Sequence, residues 1–282
     1  MSKKSGFACG ETGIRLTNMT PEPDLFSSEN DEQTTILFVD TETTGIDPES
    51  VEICEIAMIL TRYSGFTRAG EESTHFSSLV KPSSSVPPEA SAVHHITNGM
   101  LVDSPPFSDL EESISPLACQ ADYISAHNLP YDLTILKRMM PDVFNRFTTE
   151  MEIDTLRLSR HVWHEIPSHA LQVLRYRFEL DSGTGGDAHR ALFDTGLVRA
   201  LLESVLSRGL QGNTNWFELA SFVRSPIDVS TFSFGKYRGS LVEDVVAQDG
   251  DYVKWLLRQS WIPEEHPDLY HTLLKKSGKR RQ

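Results

Sequence analysis

Four acidic side chains occupy positions that a folded chain would bury. Asp40 and Glu42 follow the apolar run at residues 36–39, and because side chains alternate along a strand, both carboxylates project from the same face. Two predicted helices each carry one acid on the apolar stripe, Asp132 in the first and Asp194 in the second. The sequence therefore predicts three separate elements that each bring a carboxylate toward the interior.

Each of these acids has an ordinary explanation when it is taken alone. Asp132 could cap a helix, Asp194 could reach solvent, and Asp40 and Glu42 could pair with arginine. Several unpaired buried carboxylates together would be costly, however, and no Lys or Arg lies at the neighbouring stripe positions. The coincidence favours a metal site, and hard carboxylate oxygens suit Mg²⁺ or Mn²⁺ rather than zinc. Four acids could hold two such ions, the arrangement used in phosphodiester cleavage.

Hydrolysis at such a centre also needs a base that takes a proton from the attacking water. His189 is the candidate, because imidazole titrates near neutral pH. On a regular helix His189 and Asp194 would lie about 140° apart, so they cannot share a helical face. We therefore expect His189 in the approach to the helix, after the glycine-rich residues 183–186. The alternative is a residue at the helix start with no chemical role.

Alternating strands and helices must position these groups, which is typical of an α/β layered domain. The predicted strands are residues 36–39, 51–63, 74–80 and 122–126. The predicted helices are residues 133–140, 156–162, 171–176 and 190–206, and the first of them starts near Tyr131, so that its first turn carries Asp132. The predicted organisation is a flexible N-terminal tail (1–34), the α/β domain (35–207), a linker (208–215), a small C-terminal domain (216–274) and a basic tail (275–282).

Composition narrows the class of protein further. The 282 residues carry 40 acids against 26 lysines and arginines, a net charge of −14, so a nucleic acid would have to be held by local patches rather than by overall charge. No apolar run approaches the ~20 residues of a membrane span. Three cysteines without metal-ligand spacing and the lack of an apolar leader predict a cytoplasmic protein.

Three motifs carry a resemblance to a known family. Residues 38–45, 126–132 and 189–194 read FVDTETTG, AHNLPYD and HRALFD, and in order and spacing they resemble the three motifs of the DnaQ-like DEDDh 3′→5′ exonucleases. The His-x4-Asp form of the third motif separates this branch from one with Tyr-x3-Asp. Residues 92–97, 158–163 and 231–239 resemble segments of the exodeoxyribonuclease X branch, the last in its C-terminal extension.

The resemblance implies a ribonuclease-H-like mixed sheet flanked by helices with a small C-terminal α+β extension, and 3′→5′ hydrolysis of DNA that releases 5′ mononucleotides. Matched by motif position, the two Mg²⁺ or Mn²⁺ ions would be bound by Asp40, Glu42, Asp132 and Asp194, and His189 would be the general base. Contacts to the terminal nucleotide would come from Thr43, Thr44, Gly45, His127 and Asn128. Lys236 and Arg238 are candidate phosphate contacts in the extension.

Two rival functions stay open at this point. An exoribonuclease of the same family would carry the same three motifs, because these motifs do not choose between the sugars. A binding adaptor that kept the fold without turnover is the alternative from another class, although the complete set of acids and His189 argues against it. The expected partner is DNA, either single-stranded or at the 3′ end of a duplex, with RNA as the alternative. The sequence does not fix the oligomeric state.

Overall fold

The computed structural model describes residues 33–70, 73–184, 190–208, 210 and 215–278. The strands within this part are β1 (Gln33–Thr43), β2 (Ile53–Ser64), β3 (Thr67–Arg68), β4 (Thr74–Leu79), β5 (Tyr123–Ala126) and β6 (Glu152–Asp154). The α-helices are α1 (Pro88–His94), α2 (Glu111–Gln120), α3 (Leu129–Met139), α4 (Pro141–Phe144), α5 (Thr155–Val162), α6 (Leu171–Phe178), α7 (Ala191–Arg208), α8 (Trp216–Arg224), α9 (Val242–Gln248), α10 (Gly250–Leu256), α11 (Ile262–Glu265) and α12 (Pro267–Gly278). No helix in these ranges is long and apolar enough to cross a membrane.

The strands form one mixed sheet in the order β3-β2-β1-β5-β6, and β4 pairs with the outer edge of β2 beside β3. β1 is antiparallel to β2 and parallel to β5, which in turn is parallel to β6. Strands β1, β5 and β6 therefore end at the same edge of the sheet. This edge carries the C-terminal residues of each strand, Asp40 and Glu42 of β1 among them.

Helices cover the sheet on both faces. Because side chains alternate along β1, successive residues of this strand pack against the helices on opposite faces of the sheet. Leu37 and Val39 belong to a buried cluster that includes α2 and α3, whereas Ile36 and Phe38 belong to one that includes α7. β1 is thus buried on both sides, which explains why its sequence is a continuous apolar run. The predicted ribonuclease-H-like arrangement of a mixed sheet between helices is confirmed.

The predicted strands and helices of the α/β domain are present, with differences at their ends. β1 begins at Gln33, inside the expected tail, and α3 begins at Leu129, where Pro130 occupies the first turn and starts the helix earlier than expected. The two short strands β3 and β6 were not predicted, because two or three residues give no periodic pattern. Most of the expected tail 1–34 and of the linker 208–215 lies outside the described residues.

The C-terminal segment divides between two hydrophobic clusters. Residues of α8 pack into the cluster formed by α7, whereas residues 229–273 form their own cluster around Phe232 and Leu256. Among the described residues of this second cluster, the β-structure is limited to one isolated antiparallel bridge between Thr231 and Leu241. Lys275, expected in a tail, lies in the last turns of α12, and residues 279–282 fall outside the described part.

Candidate active site

Three carboxylates meet at the edge of the sheet where β1 ends. Asp40 and Glu42 come from β1, and Asp194 comes from the first turn of α7. Carboxylate oxygens of these three residues all lie within 4.8 Å of one another. The predicted interior stripe of α7 is confirmed, since Asp194 is buried together with Val198 and Leu201 beneath it. Chain segments more than 150 residues apart therefore supply one cluster of hard oxygen ligands.

Asp132 approaches the same edge from the opposite layer. Its Oδ1 accepts hydrogen bonds from the Thr41 backbone N–H (3.0 Å) and hydroxyl (2.7 Å), because Thr41 projects to the face of β1 that α3 covers. Asp132 is not part of the cluster of three, but its charge acts on Asp40. The structure thus brings together three of the four predicted acids and holds the fourth beside them through Thr41.

Burial and mutual repulsion raise the pKa values of these acids, and two of them have no cation beside them as an ion-pair partner within the described residues. Burial raises the pKa of Asp40 well above its usual value, and the charges of Asp132, Glu42 and Asp194 raise it further. Burial, with the charge of Asp194, raises the pKa of Glu42 to about 8, and burial raises the pKa of Asp132 to about 7. Neither Asp40 nor Glu42 forms an ion pair with any described residue. A donor set of crowded, uncompensated carboxylates fits divalent cations.

A side chain of α6 orients Asp194. The Gln172 amide Nε2 donates to Asp194 Oδ1 at 2.7 Å, and the Gln172 carbonyl oxygen accepts from Arg175 Nη1 at 3.4 Å. Arg175 also lies over the ring of Phe193, 4.5 Å from its centroid. Because the arginine fixes the oxygen end of the amide, the NH₂ end faces the carboxylate. The sequence carried no signal for Gln172, since a single glutamine on a short helix predicts no particular contact.

A second support holds the start of α7. Glu55 lies opposite Glu42 in the β1–β2 pairing and is 3% exposed. Its carboxylate accepts from Arg190 Nη2 at 2.7 Å and from the Ala191 backbone N–H at 3.1 Å. Glu55 therefore caps α7 and binds the residue that follows His189 in the chain. His189 itself, the predicted general base, lies outside the described residues.

The loop after β1 is held by a small hydroxyl network. The hydroxyls of Thr43 and Tyr131 lie 2.6 Å apart, and each lies 2.8 Å from the Gly45 carbonyl oxygen. Thr44 closes the loop, because its backbone N–H donates to the Glu52 carbonyl at 2.9 Å. The three predicted nucleotide contacts Thr43, Thr44 and Gly45 thus form one fixed turn beside Glu42. Tyr131 stabilises this turn through its hydroxyl, a role that sequence reasoning missed.

This turn forms one wall of a cavity of about 500 Å³ beside the carboxylates. The opposite wall comes from α1, including Val93, which is 59% exposed, and the buried His94. The His94 Nδ1 accepts from the Ile96 backbone N–H at 3.1 Å, so the other ring nitrogen, Nε2, carries the proton, and it lies 3.7 Å from Sγ of Cys54 on β2. His94 therefore couples α1 to β2.

The two remaining predicted nucleotide contacts lie at the end of β5. His127 uses both ring nitrogens within the protein, with Nε2 donating to the His169 carbonyl at 2.8 Å and Nδ1 lying 3.1 Å from the Thr155 hydroxyl. Asn128 is exposed and takes a left-handed conformation (φ 77°), which Asn tolerates better than most residues. Its backbone N–H donates to Asp154 Oδ1, and the same oxygen caps α5.

The two candidate phosphate contacts of the C-terminal segment, Lys236 and Arg238, are both exposed, but Lys236 is engaged by other groups of the chain. Lys236 pairs with Asp249 at 2.9 Å and its ammonium lies over the rings of Tyr237 and Tyr252. Arg238 follows this turn and has no ion pair within the described ranges. In the same segment, the i, i+3, i+4 spacing of Tyr252, Trp255 and Leu256 predicts one core-facing stripe of α10. Trp255 contradicts this prediction, because 51% of it is exposed, whereas its neighbour Leu256 is fully buried.

A mixed sheet between helices, with clustered carboxylates at the end of its central strand, defines a nuclease-type site, and the sequence comparisons agree. The profile of the family described as Exonuclease matches residues 37–202, and the profile described as Exodeoxyribonuclease X-like C-terminal matches residues 232–260. The chain belongs to the exonuclease family. It is 30% identical to Exodeoxyribonuclease 10 of Escherichia coli (strain K12) over 240 residues, covering 83% of this chain and 97% of that protein.

A more distant relative and two solved structures are also similar to this chain. DNA polymerase III subunit epsilon of Treponema pallidum is 29% identical, over 62% of this chain and 77% of that protein. The structure of Exonuclease X in complex with 5′ overhanging duplex DNA is similar with a TM-score of 0.50 and 26% identity, covering 67% of this chain and 99% of that one. Exonuclease I of E. coli with a dT13 oligonucleotide (TM-score 0.51, 20% identity, 62% of this chain and 41% of that one) shares the fold.

Proposed function

We propose that the protein is a metal-dependent 3′→5′ exodeoxyribonuclease that releases 5′ mononucleotides from DNA. The observation that carries the proposal is the meeting of Asp40, Glu42 and Asp194 within 4.8 Å at the end of the central strand. The name of the relative that this chain matches over 97% of its length points to DNA as the substrate.

Two Mg²⁺ or Mn²⁺ ions are the proposed cofactors, bound by Asp40, Glu42 and Asp194, with Asp132 as the fourth acid. When bound, such ions supply the positive charge that stabilises the attacking and leaving oxygens of phosphodiester hydrolysis. The raised pKa values of Asp40 and Glu42 support this assignment, because the carboxylates need an added cation to stay ionised together at neutral pH.

The other residues have proposed roles in binding and proton transfer. His189 accepts a proton from the attacking water, and its neighbour Arg190 is anchored through Glu55. The cavity beside Glu42 is of a size and apolar character that suits the terminal nucleoside, with Thr43, Thr44 and Gly45 on one wall. Asn128 contacts the nucleotide through its exposed amide, and His127, whose nitrogens are engaged, contributes its ring. Lys236 and Arg238 are secondary candidates for phosphate contacts.

The start of the C-terminal unit and the location of the protein in the cell complete the proposal. The C-terminal unit begins after α8, because α8 packs with the exonuclease cluster while residues 229–273 form a separate one. A cytoplasmic location is supported by Cys54, a buried free thiol in the described part of the chain, since a reducing compartment keeps thiols in that form.

The deciding experiment is digestion of matched DNA and RNA oligomers that carry a label at either the 3′ or the 5′ end, with Mn²⁺ and with EDTA. The proposal expects immediate release of labelled mononucleotide from 3′-labelled DNA, a ladder from 5′-labelled DNA, and no activity with EDTA. Faster loss of the RNA would favour the exoribonuclease, because the 2′-hydroxyl is the main difference at the cleavage site.

Asp194→Asn and Asp251→Asn form the matched pair of variants for this assay. Asp194 belongs to the carboxylate cluster, whereas the Asp251 side chain is 94% exposed and pairs only with Lys254 among the described residues. We expect the first variant to lose at least about 1,000-fold in kcat and the second to match the wild type. Equal residual signals in the wild type and Asp194→Asn would leave the binding adaptor as the better explanation.

A further inference from the structure

An acidic protein that binds DNA needs local positive surfaces, and one such surface lies where the two units of the chain meet. The net charge of −14 repels a phosphate backbone over most of the molecule. A cleft of about 340 Å³ separates the end of α5 from α12. The charged or titratable groups that line it are Arg160, His161, His164, Asp228, His271 and Lys275.

Asp228 is the one acid in that lining, as far as the described residues show. Arg160 is exposed and forms no ion pair within the described ranges. Lys275 and His271 both face Asp228, and Lys275 pairs with it. The cleft therefore keeps a net positive charge, most of it from Arg160, in a molecule whose overall charge has the opposite sign.

The positive surface begins close to the active site. α5 starts at Thr155, whose hydroxyl lies 3.1 Å from Nδ1 of His127 at the end of β5. Arg160 lies five residues further, about 7.5 Å along the helix axis. Its charge is among the causes that lower the pKa of both His127 and His169. A strand that leaves the carboxylates past His127 would therefore meet Arg160 next.

The two walls of the cleft are held in a fixed relation by Arg157, one helical turn before Arg160. Its guanidinium forms a two-pronged ion pair with Asp268 of α12, at 3.0 and 3.1 Å. It also donates to the carbonyls of Val223 and Ser225, at 3.0 and 2.9 Å. The ion pair with Asp268 connects α5 directly to α12, and the bonds to Val223 and Ser225 hold the end of α8 against α5. The helices that carry Arg160 and Lys275 therefore form one preorganised surface.

We propose that this cleft binds the phosphate backbone of the DNA strand being degraded, upstream of the nucleotides held at the catalytic edge. This rests on the proposed function and assigns the C-terminal unit a role in it: α12 supplies Lys275 as the second cation after Arg160. Contacts of this kind read no sequence, and they favour long substrates over short ones, because a trinucleotide ends before it reaches the cleft.

The experiment compares a 3′-labelled trinucleotide with a 16-nucleotide DNA strand, using the full chain. Arg160→Gln and Lys275→Gln each remove a cation from the cleft, and Asp228→Asn removes its acid. Arg62→Gln is the matched control, because Arg62 is an exposed cation near the opposite end of β2, about 20 Å along the strand from Glu55. Affinity for the 16-mer is measured by fluorescence anisotropy at several salt concentrations, in the Asp194→Asn background so that the strand stays intact.

We expect Arg160→Gln and Lys275→Gln each to weaken 16-mer binding about 3- to 10-fold and to reduce the slope of log K against log salt by about 1. Asp228→Asn should tighten the binding of the 16-mer, because it removes the acid from the lining of the cleft. In the active background, the ratio of kcat/KM for the 16-mer to that for the trinucleotide should fall for both cation variants.

Two results would overturn the inference. The first is that Arg160→Gln and Lys275→Gln bind the 16-mer with the same affinity and salt slope as Arg62→Gln. The second is that these two variants lose kcat/KM equally on the 16-mer and on the trinucleotide. Both outcomes leave the proposed function intact, because they presuppose a wild type that digests DNA. A wild type that digests neither length would instead contradict the proposed function itself.

Discussion

The amide of Gln172 lies 2.7 Å from Oδ1 of Asp194, so a neutral side chain of α6 holds a carboxylate of the metal cluster in a fixed orientation. Oδ1 of Asp194 accepts this bond, which holds the carboxylate in the cluster that it forms with Asp40 and Glu42. Arg175 fixes the amide through its oxygen end at 3.4 Å. A neutral donor suits this place, because a cation there would compete with the metal ions for the carboxylate.

Removal of this bond should reduce turnover more than binding. Gln172→Met keeps the length of the side chain but cannot donate, and a hydrogen bond to a charged group contributes about 1.5–3 kcal/mol. We expect a loss of about 10- to 100-fold in kcat, a weaker Mn²⁺ dependence, and a KM for DNA within about threefold of wild type. Steady-state kinetics across a Mn²⁺ titration measure all three, and Val173→Ala, an exposed neighbour on α6, is the control. An unchanged kcat would contradict the positioning role.

Sequence reasoning found the acids but not all of their supports, and the reason is physical. The four acids stand out because a carboxylate on a buried stripe is costly and therefore informative. Gln172 and Tyr131 act through contacts between elements 22 and 86 residues apart, which no local period encodes. Glu55 is an acid inside a predicted strand, which suggests either a support for a metal-binding residue or a plain salt bridge, and it pairs with Arg190 and caps α7.

The same limit explains Trp255. Its i, i+3, i+4 spacing with Tyr252 and Leu256 suggests burial, but only tertiary packing decides which side of α10 the core covers.

The metal-free protein should lose stability as the pH rises from 7 to 8. The pKa of Glu42 is raised from 4.5 to about 8, so the folded state holds a proton that the unfolded state has lost, and stability falls as pH rises through this window. The histidines whose pKa is lowered by burial, such as His127, act below about pH 7 and do not contribute there. We expect a loss of about 1 kcal/mol, or about 2–4 °C in Tm.

Saturating Mn²⁺ should abolish this pH dependence and raise Tm at every pH, because ions that bind only the folded state stabilise it by mass action. Thermal unfolding followed by circular dichroism in EDTA and in Mn²⁺ measures both effects. A metal-free Tm that stays level or rises between pH 7 and 8 would show that the carboxylates are not crowded in the folded protein.

Asp40→Asn should be at least as stable as the metal-free wild type while losing activity. The charges of Asp132, Glu42 and Asp194 all raise the pKa of Asp40. A neutral amide at this position removes the repulsion without changing the shape of the side chain. We expect an equal or higher Tm in EDTA at pH 8, a much smaller Mn²⁺ shift, and a loss of at least about 1,000-fold in kcat. Asp251→Asn is the control. An undiminished Mn²⁺ shift would place the ions elsewhere.

Tyr131→Phe should weaken substrate binding more than turnover. The hydroxyl of Tyr131 shares the Gly45 carbonyl with Thr43 and so fixes the wall of the cavity, but it does not touch the carboxylates. Loss of a neutral hydrogen bond costs about 0.5–1.5 kcal/mol, so we expect KM to rise about 2- to 10-fold with kcat nearly unchanged. Tyr176→Phe, on a tyrosine that is 76% exposed, controls for the loss of a hydroxyl. A fall in kcat with constant KM would exclude this role.

Glu55 offers the clearest separation between stability and catalysis. Its carboxylate caps α7 and pairs with Arg190, so Glu55→Gln should cost about 2 kcal/mol of folding free energy and reduce kcat, because Asp194 lies in the first turn of α7 and His189 precedes Arg190. The matched control is Glu203→Gln, which breaks another glutamate–arginine pair, with Arg68, near the far end of α7. It should lower Tm and leave kcat unchanged. In the double variant Glu55→Gln/Arg190→Gln both charges of the pair are gone, so Tm should recover in part while kcat stays low. If kcat recovers together with Tm, Glu55 serves stability alone and the start of α7 does not need it for catalysis.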